Sequence, residues 1–170
     1  MPETATTPIP VEELLAGNAR YAEGFDLGAL ATPPRRGVAV VSCMDSRYHP
    51  GTVLGLAEGD AHILRNAGGV VTDDVLRSLV VSQRKLGTRQ VVVVQHTQCG
   101  QLTYQGPELA DEIERETGQR PPFDFASFTD LEASVRDSVA KVRSSAFLPG
   151  RDAVSGFVYD VTTGRLSPVA

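Results

Sequence analysis

The sequence lacks the features on which several classes of protein depend. It contains no tryptophan, and aromatic residues make up only 6% of its 170 residues, which argues against a carbohydrate platform or a surface that stacks bases. The net charge is −5, and the lysines and arginines are scattered along the chain, so we expect neither a nucleic acid nor a membrane as a partner. No apolar run approaches the roughly 18 residues that a membrane span needs.

Cysteine is also scarce. The chain has two cysteines, Cys43 and Cys99, and its first residues lack the basic segment and the apolar core of a secretory signal. We therefore expect a cytoplasmic protein, since thiols stay free in a reducing compartment. Each cysteine is then a buried thiol, a redox thiol or a metal ligand.

The length suits a single domain with one hydrophobic core. We predict one domain over residues 1–170, with residues 1–10 as a disordered tail and an amphipathic helix at 11–25 as an N-terminal arm. The predicted strands are 37–43, 60–66, 89–95 and 154–161, with an edge segment at 165–169. Helical patterns between them predict parallel βαβ units. The expected fold class is α/β, a three-layer, doubly wound and mostly parallel sheet of order 2-1-3-4 with an antiparallel edge strand.

Three short segments carry signals for local structure. Pro50 suits the first turn of a helix, which we predict over 50–56. The sequence Ala67-Gly68-Gly69 predicts a loop with unusual backbone angles or a close backbone approach. Ser127 and Asp130 resemble a capping box, which predicts the start of a helix just after Ser127.

Residues that bind metals follow two of the predicted strands. Cys43 ends the first strand, and His96 and Cys99 follow the third. In a doubly wound sheet these two strands are neighbours, and sites form at their carboxyl ends where the strand order reverses. His-x-x-Cys is a zinc spacing, and two thiolates with one imidazole suit Zn²⁺. Three protein ligands leave the fourth position of one zinc ion per chain open for water, whose pKa zinc lowers from about 15.7 to about 7.

Asp45 and Arg47 lie beside the first of these ligands. The Asp45 carboxylate can accept a hydrogen bond from a water on the metal, or it can bind the metal and fill the open position. Arg47 decides between these roles, because its guanidinium can hold the carboxylate bidentately away from the ion.

Three motifs occur in order along the chain. They are Cys43-Met44-Asp45-Ser46-Arg47, then Asp60-Ala61-His62-Ile63-Leu64-Arg65-Asn66-Ala67-Gly68-Gly69, then His96-Thr97-Gln98-Cys99-Gly100. Together they closely resemble the β-class carbonic anhydrases, strongly over residues 37–104 and again over 156–164. A lone His-x-x-Cys would be far less specific.

The resemblance implies a zinc enzyme that interconverts CO₂ and bicarbonate by zinc-bound hydroxide. It implies zinc on Cys43, His96 and Cys99, with Asp45 and Arg47 as the catalytic pair. The resemblance further implies that Asp45 can occupy the fourth zinc position in a closed state at low pH, as the corresponding aspartate does in some members of the family. The resemblance also implies a homodimer or higher oligomer with the substrate cleft at the subunit interface.

The sequence departs from the family pattern in three ways. Gln98 stands where many compact members have an aspartate, and Gln101 stands where a small or apolar residue is common; both could alter the cleft. The tryptophan of the family's non-catalytic bicarbonate pocket is missing, so that regulation is not carried over. His49 and His62 could each shuttle protons, although a structural role is favoured for both.

Two other functions are compatible with these residues. A hydrolase of CS₂ or COS would use the same motifs, because these substrates share the linear shape of CO₂ and the same attack. A non-catalytic zinc-binding homologue would keep Asp45 on the metal.

Overall fold

The structure, a computed structural model, describes residues 7–170. Residues 1–6 of the expected tail lie outside the described residues, and residues 7–10 form neither helix nor strand. The chain divides into a small unit that ends at Leu30 and a large unit, Ala31–Ala170. A single domain over the whole chain stays a prediction.

The small unit contains helix α1, Val11–Glu23, which is two residues shorter than its sequence pattern. None of its residues is buried. Its large apolar side chains are at least half exposed, namely Val11, Leu14, Leu15 and Tyr21. Helix α1 therefore does not bury its apolar residues as a core helix does.

The large unit is built on a five-stranded sheet. The strands are β1 Val38–Cys43, β2 Ala61–Asn66, β3 Gln90–His96, β4 Val154–Tyr159 and β5 Leu166–Pro168. Their order is β2-β1-β3-β4-β5, and only β5 is antiparallel to its neighbour. The predicted fold class and strand order are confirmed.

Helices and loops cover both faces of this sheet. The helices are α2 Pro50–Val53, α3 Asp73–Leu86, α4 Gly106–Thr117 and α5 Leu131–Ser144. Ala39 and Val41 of β1 pack with α3 and α5, whereas Val38 and Val40 pack with residues that follow α2. This coverage explains why β1 is apolar at almost every position. No helix within residues 7–170 is long and apolar enough to cross a membrane.

Two local predictions need correction. Helix α2 ends at Val53 rather than Leu56, because Gly55 takes a left-handed φ of +64° and turns the chain. Ser127 does not cap α5. The side chain of Asp130 accepts from the Ala133 N–H at 2.9 Å, while Ser127 Oγ accepts from the Gly106 N–H at 2.8 Å and so caps α4. Ser127 therefore satisfies the first N–H of α4, although it lies only four residues before the start of α5.

Candidate metal centre

The carboxyl ends of β1 and β3 bring three ligand-type side chains together. Cys43 is the last residue of β1 and His96 the last of β3, and Cys99 directly precedes a short 3₁₀ turn, Gly100–Leu102. Their ligand atoms all lie within 4.8 Å of one another, and the two Sγ atoms are 3.9 Å apart. All three side chains are buried. The two motifs, far apart in the sequence, thus converge at one point.

The histidine presents the nitrogen that a metal would need. His96 Nδ1 lies 2.8 Å from the carbonyl oxygen of Thr97, and since a carbonyl only accepts, Nδ1 carries the proton. Nε2 is buried and has no hydrogen-bond partner among residues 7–170. A buried nitrogen without a partner is costly, and a metal ion held with the cysteines would remove that cost. Orientation of the ligand by a backbone carbonyl is the usual arrangement around metal-bound histidines.

The two thiols are electrostatically coupled. A hydrogen bond from Cys99 holds the pKa of Cys43 well below its usual value, against the opposing effect of burial, and the contact with His96 lowers it further. The same hydrogen bond, together with burial, raises the pKa of Cys99. One thiolate is therefore available, and a bound cation would displace the proton that the pair retains. This donor set of two sulfurs and one imidazole nitrogen fits Zn²⁺.

Asp45 and Arg47 form a bidentate ion pair beside these residues. Arg47 Nη2 donates to Asp45 Oδ2 at 2.7 Å, and Arg47 Nε donates to Asp45 Oδ1 at 2.9 Å. This contact holds the pKa of Asp45 at about 2. Asp45 Oδ2 also lies 3.7 Å from His96 Nε2, which is beyond hydrogen-bond distance. The carboxylate therefore faces Arg47 while remaining at the edge of the centre.

A second arginine, Arg65 of β2, braces the loop that carries this pair. Its Nε donates to the Cys43 carbonyl at 2.8 Å and its Nη2 to the Asp45 carbonyl at 2.6 Å. Its guanidinium also lies 5.7 Å from the ring centre of Tyr48. Tyr48 in turn makes a 2.8 Å hydrogen bond with Ser42 and packs against the His96 ring. The loop after β1 is thus fixed from a neighbouring strand and from its own aromatic side chain.

Gly69 allows the backbone to approach Cys43 closely. Its φ is +64°, and a Cβ atom there would lie 2.7 Å from the Cys43 nitrogen and 3.1 Å from the Val94 carbonyl oxygen. Real Cβ atoms essentially never make contacts under 3.0 Å. The loop predicted from Ala67-Gly68-Gly69 therefore has both of the expected properties, a left-handed backbone and a close approach.

Sequence reasoning missed two contributors. The sequence prediction includes Arg65 only as part of a motif and Gln98 only as a departure from the family pattern. Arg47 Nη2 donates to the Gln98 carbonyl at 2.9 Å, and its Nη1 donates to Gln98 Oε1 at 3.3 Å. No local pattern reveals such contacts, since Arg65 acts on residues 20 and 22 positions away.

Neither of the other two histidines is among the three converging ligand residues. His62 pairs with Ala39 in the β1–β2 register, four residues before Cys43, and its Nδ1 makes a 2.8 Å hydrogen bond with Ser82. That is roughly 13 Å along the strand from the candidate ligands. His49 is exposed and precedes α2. The contacts of His62 agree with the structural role that the sequence favoured.

A groove of the large unit lies next to the metal centre rather than in it. Its volume is about 1030 Å³, and it is lined by the start of α3, the segment 122–130 and helix α5. Phe128 contributes to this groove and also packs against the cluster of Cys43, Tyr48 and Cys99. The position of the centre is therefore defined by the ligand geometry and not by cavity size.

Comparison with known proteins now identifies the family. The sequence profile described as carbonic anhydrase matches residues 38–166. The chain is 44% identical over 158 residues to β-carbonic anhydrase 1 of Mycobacterium tuberculosis, covering 93% of this chain and 96% of that protein. The crystal structure of a carbonic anhydrase from Streptococcus mutans superposes with a TM-score of 0.88 at 43% identity, covering 97% of this chain and 100% of that one. A carbon disulfide hydrolase of an Acidianus strain is 34% identical over 182 residues, covering 92% of this chain and 89% of that protein.

These similarities place the protein among enzymes that share this α/β fold. The chain belongs to the β-carbonic anhydrase family.

Proposed function

We propose that this protein holds one zinc ion on Cys43, His96 and Cys99 and catalyses the reversible hydration of CO₂ to bicarbonate and a proton. The observation that carries the proposal is the convergence of the three ligand atoms within 4.8 Å of one another, with a carboxylate–guanidinium pair beside them. Relatives named carbonic anhydrase at 43% and 44% identity add support. Zinc, when bound, would supply the Lewis acidity that makes water a nucleophile near neutral pH.

Asp45 would orient the reacting water. Its Oδ2 already accepts from Arg47, and a carboxylate oxygen has room for a second hydrogen bond. The low pKa of Asp45, caused by Arg47, keeps the group an acceptor across the neutral range. Because Oδ2 lies 3.7 Å from His96 Nε2, it can receive a hydrogen bond from a water next to the ligands and so fix the direction of its lone pair.

Arg47 would keep this carboxylate in its orienting role. Both carboxylate oxygens are engaged by the guanidinium, which opposes movement of Asp45 onto the metal. Partly buried apolar side chains complete the surroundings, namely Val53, Leu102, Phe128 and Tyr159. Such a surface suits an uncharged substrate that has only weak hydrogen-bond acceptors.

The test is a stopped-flow assay of CO₂ hydration on protein whose zinc content has been measured. We expect turnover that scales with zinc content, and that disappears when a chelator removes the metal and returns when zinc is restored. Zinc-loaded protein that does not hydrate CO₂ at any pH, with no effect of replacing Arg47, would refute the proposal and favour the non-catalytic homologue.

A second candidate is the hydrolysis of CS₂ or COS. The carbon disulfide hydrolase that is 34% identical and matches 92% of this chain favours it. These substrates share the linear shape of CO₂, so the residues of the centre do not distinguish them. Parallel assays on one zinc-loaded preparation decide: we expect kcat/KM for CO₂ to exceed that for CS₂, and the reverse order would reassign the substrate.

We also propose that the protein is a homodimer or a larger homo-oligomer. The support is α1, whose apolar side chains Val11, Leu14, Leu15 and Tyr21 are 58–64% exposed. Exposed apolar clusters of this kind mark interaction surfaces. Light scattering on the full chain should give at least twice the monomer mass, and Leu14→Glu with Leu15→Glu should lower it. A monomer in the unsubstituted chain would refute the proposal.

We propose a reducing compartment such as the cytoplasm. Both cysteines are free, and zinc binding needs them as thiolates rather than as a disulfide. Fractionation of cells that produce the protein at its natural level tests this, and recovery in an oxidising compartment would contradict it.

A further inference from the structure

Tyr48 is a buried aromatic residue that packs with all three ligand-type residues. It directly follows Arg47 in the loop after β1, and only 7% of it is exposed. Tyr48 shares a packed cluster with Cys43 and Cys99. Its ring also lies against the imidazole of His96, with 5.4 Å between the ring centres and 59° between the ring planes. A side chain in this place can influence the geometry of the whole centre.

The hydroxyl of Tyr48 starts a chain of two buried hydrogen bonds. It lies 2.8 Å from Ser42 Oγ, and Ser42 Oγ donates to the Val94 carbonyl at 3.1 Å. Because a serine hydroxyl has a single proton and Ser42 gives it to Val94, the hydroxyl of Tyr48 is the donor to Ser42. Ser42 and Val94 are almost completely buried. The loop after β1 is thus connected through β1 to β3.

This chain of hydrogen bonds crosses the two strands just before their ligand-type residues. Ser42 directly precedes Cys43 and is paired with Val94 in the β1–β3 register, and Val94 lies two residues before His96. A side-chain hydrogen bond across the strand ends adds to the backbone ladder at the place where the ladder stops. The hydroxyl of Tyr48 therefore helps to set the distance between the ends of β1 and β3.

The ring of Tyr48 restricts the imidazole of His96. The hydrogen bond from Nδ1 to the Thr97 carbonyl fixes which nitrogen carries the proton, but the terminal torsion of histidine is broad and leaves the ring free to tilt. Tyr48 closes one side of the imidazole. Tyr48 is itself held by the ring of Tyr159 at 4.8 Å and by the guanidinium of Arg65 at 5.7 Å. The direction of His96 Nε2 is therefore fixed by packing as well as by a hydrogen bond.

We propose that Tyr48 is a positioning residue, whose ring sets the direction of His96 Nε2 and whose hydroxyl sets the spacing between the ends of β1 and β3. The proposal rests on the proposed function, in which His96 and the two cysteines hold zinc. The hydroxyl of Tyr48 is engaged by Ser42, so Tyr48 acts on the metal through its neighbours and not as a ligand.

The test compares Tyr48→Phe and Tyr48→Leu with the unsubstituted chain and with a matched control. Phenylalanine keeps the ring and removes only the hydroxyl, while leucine removes both and keeps an apolar side chain. Tyr21→Phe makes the same chemical change on α1, where Tyr21 is 58% exposed. For each full-length protein, zinc affinity is measured by chelator competition, ligand geometry by visible absorption of the Co²⁺ form, and stability by urea unfolding.

We expect zinc affinity to fall by roughly tenfold in Tyr48→Phe and by roughly 10²-fold in Tyr48→Leu, the range found when outer contacts of a metal site are removed. The Co²⁺ spectrum should change most in Tyr48→Leu, because a tilted imidazole alters the ligand geometry that the visible bands report. Tyr21→Phe should leave the zinc affinity and the Co²⁺ spectrum unchanged.

Two results would overturn the proposal. One is a zinc affinity and a Co²⁺ spectrum for both Tyr48 variants that match the unsubstituted chain, even with a loss of stability in urea, since a purely structural role predicts that pattern. The other is the same change in Tyr21→Phe. If Tyr48→Leu does not fold, Tyr48→Phe decides alone. If the unsubstituted protein binds zinc but does not hydrate CO₂, the proposed reaction fails, while the metal measurements still decide the role of Tyr48; a chain that binds neither metal would overturn both.

Discussion

Replacing Gly69 with alanine tests how the metal centre is held together. The added Cβ would lie 2.7 Å from the Cys43 nitrogen, 2.8 Å from the Ser42 carbonyl carbon and 3.1 Å from the Val94 carbonyl oxygen. All three atoms belong to the backbone of β1 or β3, so no flexible side chain can move aside. The substitution must therefore displace the strand end that carries Cys43.

The magnitude follows from two contributions. A side chain in the left-handed region costs about 1–2 kcal/mol, and forcing an extra carbon into a packed position costs about 1–3 kcal/mol more. The expected loss in the free energy of unfolding is then about 2–5 kcal/mol, a large part of the 5–15 kcal/mol typical of a folded domain. The gain from a stiffer unfolded chain is about 0.4–1 kcal/mol and applies to any glycine-to-alanine change.

Gly55→Ala is the matched control, because Gly55 has the same φ of +64° and nothing within 4 Å of its Cβ position. Gly55→Ala should lose only the contribution of the left-handed conformation to the free energy of unfolding, about 1–2 kcal/mol. Urea unfolding at fixed protein and zinc concentrations measures both variants, since ligand and oligomer equilibria shift apparent stability. Zinc affinity by chelator competition should fall in Gly69→Ala alone. Equal losses of stability and equal zinc affinities in the two variants would refute the close-packing argument.

Three further substitutions address the candidate centre. Cys99→Ala should lower bound zinc from about one ion per chain to near zero and reduce stability, because metal affinity is partly folding energy; full zinc by metal analysis would reject this ligand. Asp45→Asn should keep zinc but lower kcat by roughly 10²-fold, the low end for a positioned proton acceptor; unchanged stopped-flow turnover would remove Asp45 from the reaction. Arg65→Met should cost about 1–3 kcal/mol in urea unfolding, because it leaves two carbonyl groups without their donor. A loss below 0.5 kcal/mol, about the level of an ordinary surface change, would show that the brace is dispensable.

The fold was predictable because its signals are local and repeated. A β1 run that is apolar on both faces predicts a covered parallel strand, and the alternation of strand and helix restricts the topology to few choices. The ends of the elements were less predictable. Strand β4 ends at Tyr159 instead of Val161, because the Asp160 side chain accepts from the Thr162 N–H at 2.8 Å and starts a turn.

Only the features of the candidate centre that depend on residue type and spacing were predictable from the sequence. Cysteine and histidine after neighbouring strands have few alternative explanations, so their convergence could be expected. The contacts that fix them could not, because Arg65 and Gln98 are ordinary polar residues whose roles depend on side-chain direction and backbone angle. The left-handed φ of Gln98 is disfavoured for a residue with a side chain, and no local preference of glutamine predicts it.

The residues of the candidate centre also balance one another's charges, so the role of each depends on the others. Two thiolates would offset the two charges of a zinc ion, and Arg47 offsets Asp45 in a contact of 2.7 Å. The three buried ligand residues would thus carry no net charge together with the bound metal, which avoids the cost of an uncompensated charge away from water. Arg47 and Asp45 neutralise each other at the edge of the centre, where the Arg47 side chain is 45% exposed. Loss of either cysteine would therefore remove a ligand and also leave one charge of the ion uncompensated in a buried place.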